Sequence, residues 1–174
     1  MTKKLHSQWL NVAVFGANDG IVTTFAVVAG VTGAKLSTEV VLILGFANIA
    51  ADALSMSLGN YLGEKSEARA RKKTSQGLHW QVVSGSVVMF VSFVLAGLIP
   101  LLPYLLNYFG CPCAQDQQFW RSILTTSIGL FGIGSARTLL TKGSWWRNGL
   151  EMLLIGGVAA VVAFTTGALI KGWL

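Results

Sequence analysis

The chain has 174 residues, 53% of them hydrophobic and 11% charged, with a formal net charge of +6 and a mean hydropathy of +0.61. Soluble domains carry about 25% charged residues, so a water-soluble globule of this size is excluded: too little polar surface remains to wet it. Nor does the positive charge indicate a nucleic-acid partner, because the basic residues sit between apolar stretches, where membrane topology places them.

A hydrocarbon core of ~30 Å takes about 20 helical residues to cross. Five stretches meet this, and the short connections between them predict one all-α membrane domain over residues 1–174. The first stretch, 9–31, follows Lys3 and Lys4 as the core of a signal peptide would. Asn18, Asp19 and Gly20 interrupt its apolar run, however, so a retained span is expected. A tight turn over 32–37 leads to the second span, 38–62. The polar segment GEKSEARARKKTSQG follows at 63–77. Its early part lacks Gly and Pro and sets Glu67 four residues before Arg71, so it is expected to carry the helix on beyond the membrane. This segment reads as a basic stop signal that also touches anionic lipid; Glu64 and Glu67 are the alternative, a cytosolic mouth that hands cations to a pore.

The third span is 81–107. The connection after it holds Cys111-Pro112-Cys113, a pair too close for an unstrained disulfide and placed in a turn. The fourth and fifth spans are 119–140 and 148–170. Glu151 begins the last of these near Arg147, where an acid suits a helix N-terminus, and Arg137 is close enough to the end of the fourth span to snorkel. Gly16 and Gly20 form a GxxxG pair, and Ala47, Ala51, Ser55 and Gly59 recur every fourth residue. Such stripes predict close helix packing, within one chain or across a dimer seam.

The basic residues set the orientation. With a cytoplasmic N-terminus, that side holds Lys3, Lys4, Lys65, Arg69, Arg71, Lys72, Lys73, Arg137, Lys142 and Arg147, against Lys35, Arg121 and Lys171 on the other. Five spans then place the C-terminus opposite the N-terminus. All six tryptophans fall near predicted span ends, the depth that amphipathic indoles prefer.

Two carboxylates lie where they are expensive: Asp19 near the middle of the first span and Asp52 near the middle of the second. Each must face protein or water. Asn48, Asp52 and Met56 recur every four residues along one helical face, and Asp19, Thr23, Ala26 and Gly30 form a small, partly polar stripe on the first span. Facing each other, these stripes would offer carboxylate and amide oxygens with a thioether. Oxygen alone suits Mg²⁺ or Ca²⁺ and sulfur draws softer ions, so the mixed set points to Fe²⁺ or Mn²⁺ as the transported ion, with Co²⁺ and Zn²⁺ as further candidates. Carboxylates also bind protons, and metal and proton compete for the same oxygens. The expected activity is metal movement coupled to H⁺, with no prosthetic group.

These residues carry a family resemblance. GANDGIVTTFAVVAGVTG at 16–33 resembles the first-span motif of the vacuolar iron transporter family, and ANIAADALSMSLGNYL at 47–62 resembles that family's second-span motif; GLEMLLIG at 149–156 is a looser match. The resemblance implies a homodimer of five-span protomers that moves Fe²⁺ or Mn²⁺ out of the cytosol in exchange for protons, along a path at the dimer interface. Asp19 and Met56 stand at the family's metal-site positions. Many members carry Glu where this chain has Asn48 and a small residue where it has Asp52, so the acid has moved one turn along the same face. Plant-like members insert a Glu-rich helical domain between the second and third spans, where this chain has only 63–77. The membrane expected for this short form is the bacterial inner (cell) membrane.

Two other classes compete. Intramembrane aspartates on separate helices could share a proton as an aspartic protease dyad, but Asn18-Asp19-Gly20 lacks the Gly-x-Gly-Asp context, and no enzyme is expected. A non-transporting metal-sensing subunit on the same scaffold is the second.

Overall fold

A computed structural model describes the backbone of residues 2–70, 76–109, 115–139 and 143–173, with side chains at 9–70, 80–109, 117–139 and 143–173. Five α-helices account for nearly all of it: α1 (Thr2–Gly33), α2 (Thr38–Ala70), α3 (Gln76–Tyr108), α4 (Gln115–Ala136) and α5 (Trp145–Trp173). A 3₁₀ turn, Arg137–Leu139, follows α4, and no strand occurs among the described residues. As expected, α2 runs on past its apolar stretch, to Ala70. The Cys111-Pro112-Cys113 connection lies outside the described residues.

α1 is the central helix and packs on α2, α3, α4 and α5, whereas α2 is held by α1 and α3. Glycines set the closeness of the α1–α3 contact. A Cβ on Gly16 would sit 2.8 Å from the Met89 carbonyl oxygen, and one on Gly20 would collide with that of Phe93. The GxxxG pair therefore packs inside the chain. On the far side of α1, Gly167 of α5 meets the Gly30 carbonyl with the same intimacy. α1, α2 and α3 converge at Gly97, where a Cβ would lie 3.0 Å from Thr24 Oγ1 and 3.1 Å from Ile49 Cγ1. Phe25, Val28, Val41, Ile49 and Leu101 form the core around this point.

The turn between α1 and α2 is closed by two bonds, Lys35 N–H to the Thr32 carbonyl (2.9 Å) and Leu36 N–H to that of Val31 (3.1 Å). They form a Schellman cap with Lys35 in the left-handed position, at φ 54°.

Four helices are long and apolar enough to cross a membrane: α1 over Trp9–Gly33, α2, α3 over Trp80–Tyr108, and α5. The fourth expected span, 119–140, differs. Its α-helix ends at Ala136, and α4 is less apolar than the others. The reason is an inverted arrangement. Gln118, Ser122 and Thr126 are buried while Trp120, Leu124 and Ile128 are exposed. The inward polar groups have a use, because Pro103 has no N–H to give the Ile99 carbonyl one turn earlier in α3. Ser122 Oγ donates to the Pro100 carbonyl of α3 at 2.7 Å, while Thr125 Oγ1 sits 3.0 Å from the Arg121 carbonyl of its own helix and 3.5 Å from that of Ile99. Hydroxyls on a neighbour are how apolar surroundings tolerate a broken helix ladder. At 22 residues, α4 is about 33 Å long, enough for the core of a bilayer.

Exposed side chains are apolar along much of α2 and α5, among them Ile43, Leu54, Leu58, Val158, Val161 and Leu169. Trp80, Trp120, Trp145, Trp146 and Trp173, near helix ends, are exposed as well. A lipid-facing belt with indoles at its edges has this composition.

Candidate metal path

The buried seam of α2 runs Val41, Gly45, Ile49, Ala53 and Ser57, one residue per turn. One position earlier on successive turns stand Asn48, Asp52 and Met56, all half-buried. One position earlier again come Ala47, Ala51, Ser55 and Gly59, all exposed, and a Cβ on Gly59 would touch nothing within 4 Å. The stripe expected to pack thus makes no close packing inside the chain. The expected metal ligands lie along the boundary between the protein interior and that open, small-residued face.

α1 contributes from its side. Gly16 and Gly20 seal against α3; of the expected stripe Asp19, Thr23, Ala26 and Gly30, all half-buried, Gly30 packs on Ala163 and Gly167 of α5. Thr23 Oγ1 donates to the Asp19 backbone carbonyl at 2.8 Å, so its hydroxyl is engaged locally. The carboxylates of Asp19 and Asp52 lie within electrostatic reach of each other. Among the described residues no basic side chain pairs with either one; the ion pair found there joins Arg137 and Glu151 at 3.9 Å, away from α2. Glu151 therefore faces Arg137, while Arg147 lies over the Trp146 ring.

Asn48 Nδ2 on this side is buried without a hydrogen-bond partner; Asn18 Oδ1 is unpartnered too, but Asn18 lines a separate hollow between α1, α4 and α5. An orphaned buried polar atom costs about 1–3 kcal/mol and calls for an explanation at a functional site. One chain nevertheless supplies little for a full coordination shell: no group of three or more His, Cys, Asp or Glu side chains converges among the described residues.

Glu64 and Glu67 diverge. Glu64 is half-buried, receives a hydrogen bond from Asn60 and lies near Glu67, while Glu67 is exposed. Asn60 Nδ2 also donates to Ser86 Oγ on α3 at 3.3 Å. Asn60 and Ser86 escaped the sequence reading. The signal for Asn60 was present, since 48, 52, 56, 60 and 64 continue one four-residue step. Ser86 had none, because only the α2–α3 packing brings it there.

Comparison with known proteins identifies relatives over most of the chain. The family model described as VIT family matches residues 10–86 and 79–168. The chain is 27% identical to the vacuolar iron transporter of Centaurea cyanus, over 87% of this chain and 83% of the relative. It is 26% identical to vacuolar iron transporter 1 of Arabidopsis thaliana, over 91% and 84%. With vacuolar iron transporter homolog 3 of the same plant it shares 30% identity, over 91% and 81%. The first of these alignments runs over 209 positions, more than the 174 residues of this chain, so that relative holds residues this chain lacks; the alignment with homolog 3 runs over 169. With a family model matching residues 10–86 and 79–168, most of its length, this chain belongs to the VIT family.

Proposed function

We propose that the protein transports a divalent transition metal, Fe²⁺ or Mn²⁺, out of the cytosol in exchange for protons, along a path lined by α1 and α2. The observation that carries this reading is the Asp19–Asp52 pair: two carboxylates on neighbouring helices, within electrostatic reach, with no basic partner among the described residues. The names of the relatives, vacuolar iron transporters in plants, favour iron as cargo. Asn48 and Met56 extend the donor set along the same edge of α2, so that oxygen and sulfur would meet the ion together.

The transporter works as a homodimer in this reading. Two acids, an amide and a thioether are too few to strip a hydrated divalent ion, and a second copy doubles them. The exposed line Ala47, Ala51, Ser55 and Gly59 is the seam through which a second copy would bring its own Asp52 and Met56 close, since small residues let membrane helices approach. Metal binding releases protons from the carboxylates, and protons arriving from the far side displace the metal. Glu64, held by Asn60, marks the cytosolic mouth. The N-terminus is cytoplasmic, the C-terminus opposite, and the membrane is a bacterial inner membrane.

Flux of Fe²⁺ and Mn²⁺ into proteoliposomes, with and without an imposed pH gradient, tests the proposal. Uptake that rises when the lumen is acidic supports it. A reconstituted protein that binds metal without moving it would instead be a sensor, and cleavage of a reporter span would make the aspartates a protease dyad.

A further inference from the structure

Lys35 stands where a lysine is unusual on two counts. It holds the left-handed position of the α1–α2 turn, at φ 54°, which glycine fills without strain. It is also one of three basic residues on the side expected to face away from the cytosol. Its ammonium pairs with no carboxylate among the described residues.

A hollow of about 400 Å³ opens beside it at this end of the bundle. Thr32 and Tyr104 stand in its wall, their hydroxyls bonded to each other, and that of Thr32 donates onward to the Val28 carbonyl at 2.7 Å. Val41, Phe119 and Trp120 make the rest of the wall apolar and aromatic. Lys35 is the one charged group lining it among the described residues, so the hollow repels a metal cation and suits an anion. Its depth matches the top of a lipid. Lys35 lies beyond the ends of both helices that it joins, while Val41 and Tyr104 stand about one turn inside theirs, or ~5.4 Å deeper. From mouth to floor the hollow thus runs from a cation to apolar groups. Trp120 is 70% exposed, at the boundary level that indoles prefer. Toward the bilayer centre from it, Leu124 and Ile128 continue an exposed apolar stripe on α4.

We infer that this hollow binds one phospholipid: its phosphate on Lys35, its glycerol in the mouth of the hollow, and an acyl chain along Trp120, Leu124 and Ile128. The ammonium selects the phosphate, and the stripe selects a lipid over a soluble phosphate. The contact offsets the strain at Lys35 and clamps the α1–α2 turn to the start of α4, well away from the mid-helix carboxylates Asp19 and Asp52.

Native mass spectrometry of the full chain in detergent tests this with three probes: dioleoyl phosphatidylglycerol, dioleoylglycerol, which lacks the phosphate, and glycerol 3-phosphate, which lacks the chains. The wild type is expected to hold one phosphatidylglycerol and to bind neither of the others saturably. Lys35→Gly should weaken phosphatidylglycerol by about fivefold or more, the contribution of one basic residue near a membrane surface. The fold should survive this change, because glycine suits the turn. Trp120→Ala should weaken the lipid too, while Lys171→Ala, on the same side but outside the hollow, should not. Unchanged affinity in Lys35→Gly or in Trp120→Ala overturns the site, as does an equal loss in Lys171→Ala. Saturable glycerol 3-phosphate would make the occupant a soluble anion, and dioleoylglycerol held as tightly as phosphatidylglycerol would leave Lys35 no part in binding; either result overturns the proposal.

Discussion

α1 carries two faces that differ in one respect, how completely a neighbour closes over them. Toward α3 it presents Gly16 and Gly20, packed so tightly that a Cβ at either would meet backbone. Another part of its surface carries Asp19 and Thr23, half-buried, with the acid within electrostatic reach of Asp52 on α2. Backbone-on-backbone contact is stiff because nothing in it can rotate away. The acid face remains accessible because α2 is held by α1 and α3 on one side only. A transporter needs both: a rigid seam to hold the bundle and a yielding, polar one through which an ion passes.

Gly20→Ala should separate the two faces most drastically. The added methyl group meets the Phe93 carbonyl and no rotamer relieves it, so the expected loss is about 3 kcal/mol or more, at the upper end for overpacking. Monodispersity and thermal unfolding in detergent measure this, and wild-type behaviour would mean that α1 and α3 are not in such close contact. Asp19→Asn should do the reverse. The fold survives, since an isosteric neutral amide is easier to bury, but Fe²⁺ flux falls to that of protein-free liposomes because the amide neither neutralises the cation nor exchanges a proton. Full flux in this variant removes Asp19 from the path.

Asn48→Glu combined with Asp52→Gly moves the acid one turn along the same edge of α2. Partial flux is expected; a folded but silent double variant would give Asp52 a role tied to its own position opposite Asp19. The smallest effect is reserved for Met56→Leu. Such a volume-conserving swap usually costs under about 1.5 kcal/mol, so folding should be unaffected while the ratio of Fe²⁺ to Mn²⁺ uptake falls, because sulfur favours the softer ion. An unchanged ratio in competition uptake would leave oxygen donors as the whole site.

Much of this molecule is legible along the chain because the bilayer restricts the options. Runs of apolar residues near 20 long must be helices, since lipid offers backbone groups no other partner, although α1 begins at Thr2 and α2 runs to Ala70, beyond the apolar runs at 9–31 and 38–62. Asp19 and Asp52 stand out for the same reason: a charge in an apolar run is conspicuous without any structure. Burial on α4 is less readable. Its hydroxyls and Gln118 look like dilution of a span until Ser122 is seen to donate to the Pro100 carbonyl of α3 and Gln118 to accept from Thr38 of α2.

The two small-residue stripes show where sequence stops. GxxxG at Gly16 and Gly20 and the four-residue repeat from Ala47 to Gly59 are alike as patterns, yet the first is sealed inside the chain and the second lies open. Composition and spacing determined that each stripe permits close approach. Which neighbour approaches depends on how five helices share the surface of one another, and only the packed bundle decides that. The same holds for Ser86 against Asn60. Contacts between residues far apart in the chain follow from helix placement, which no local pattern encodes.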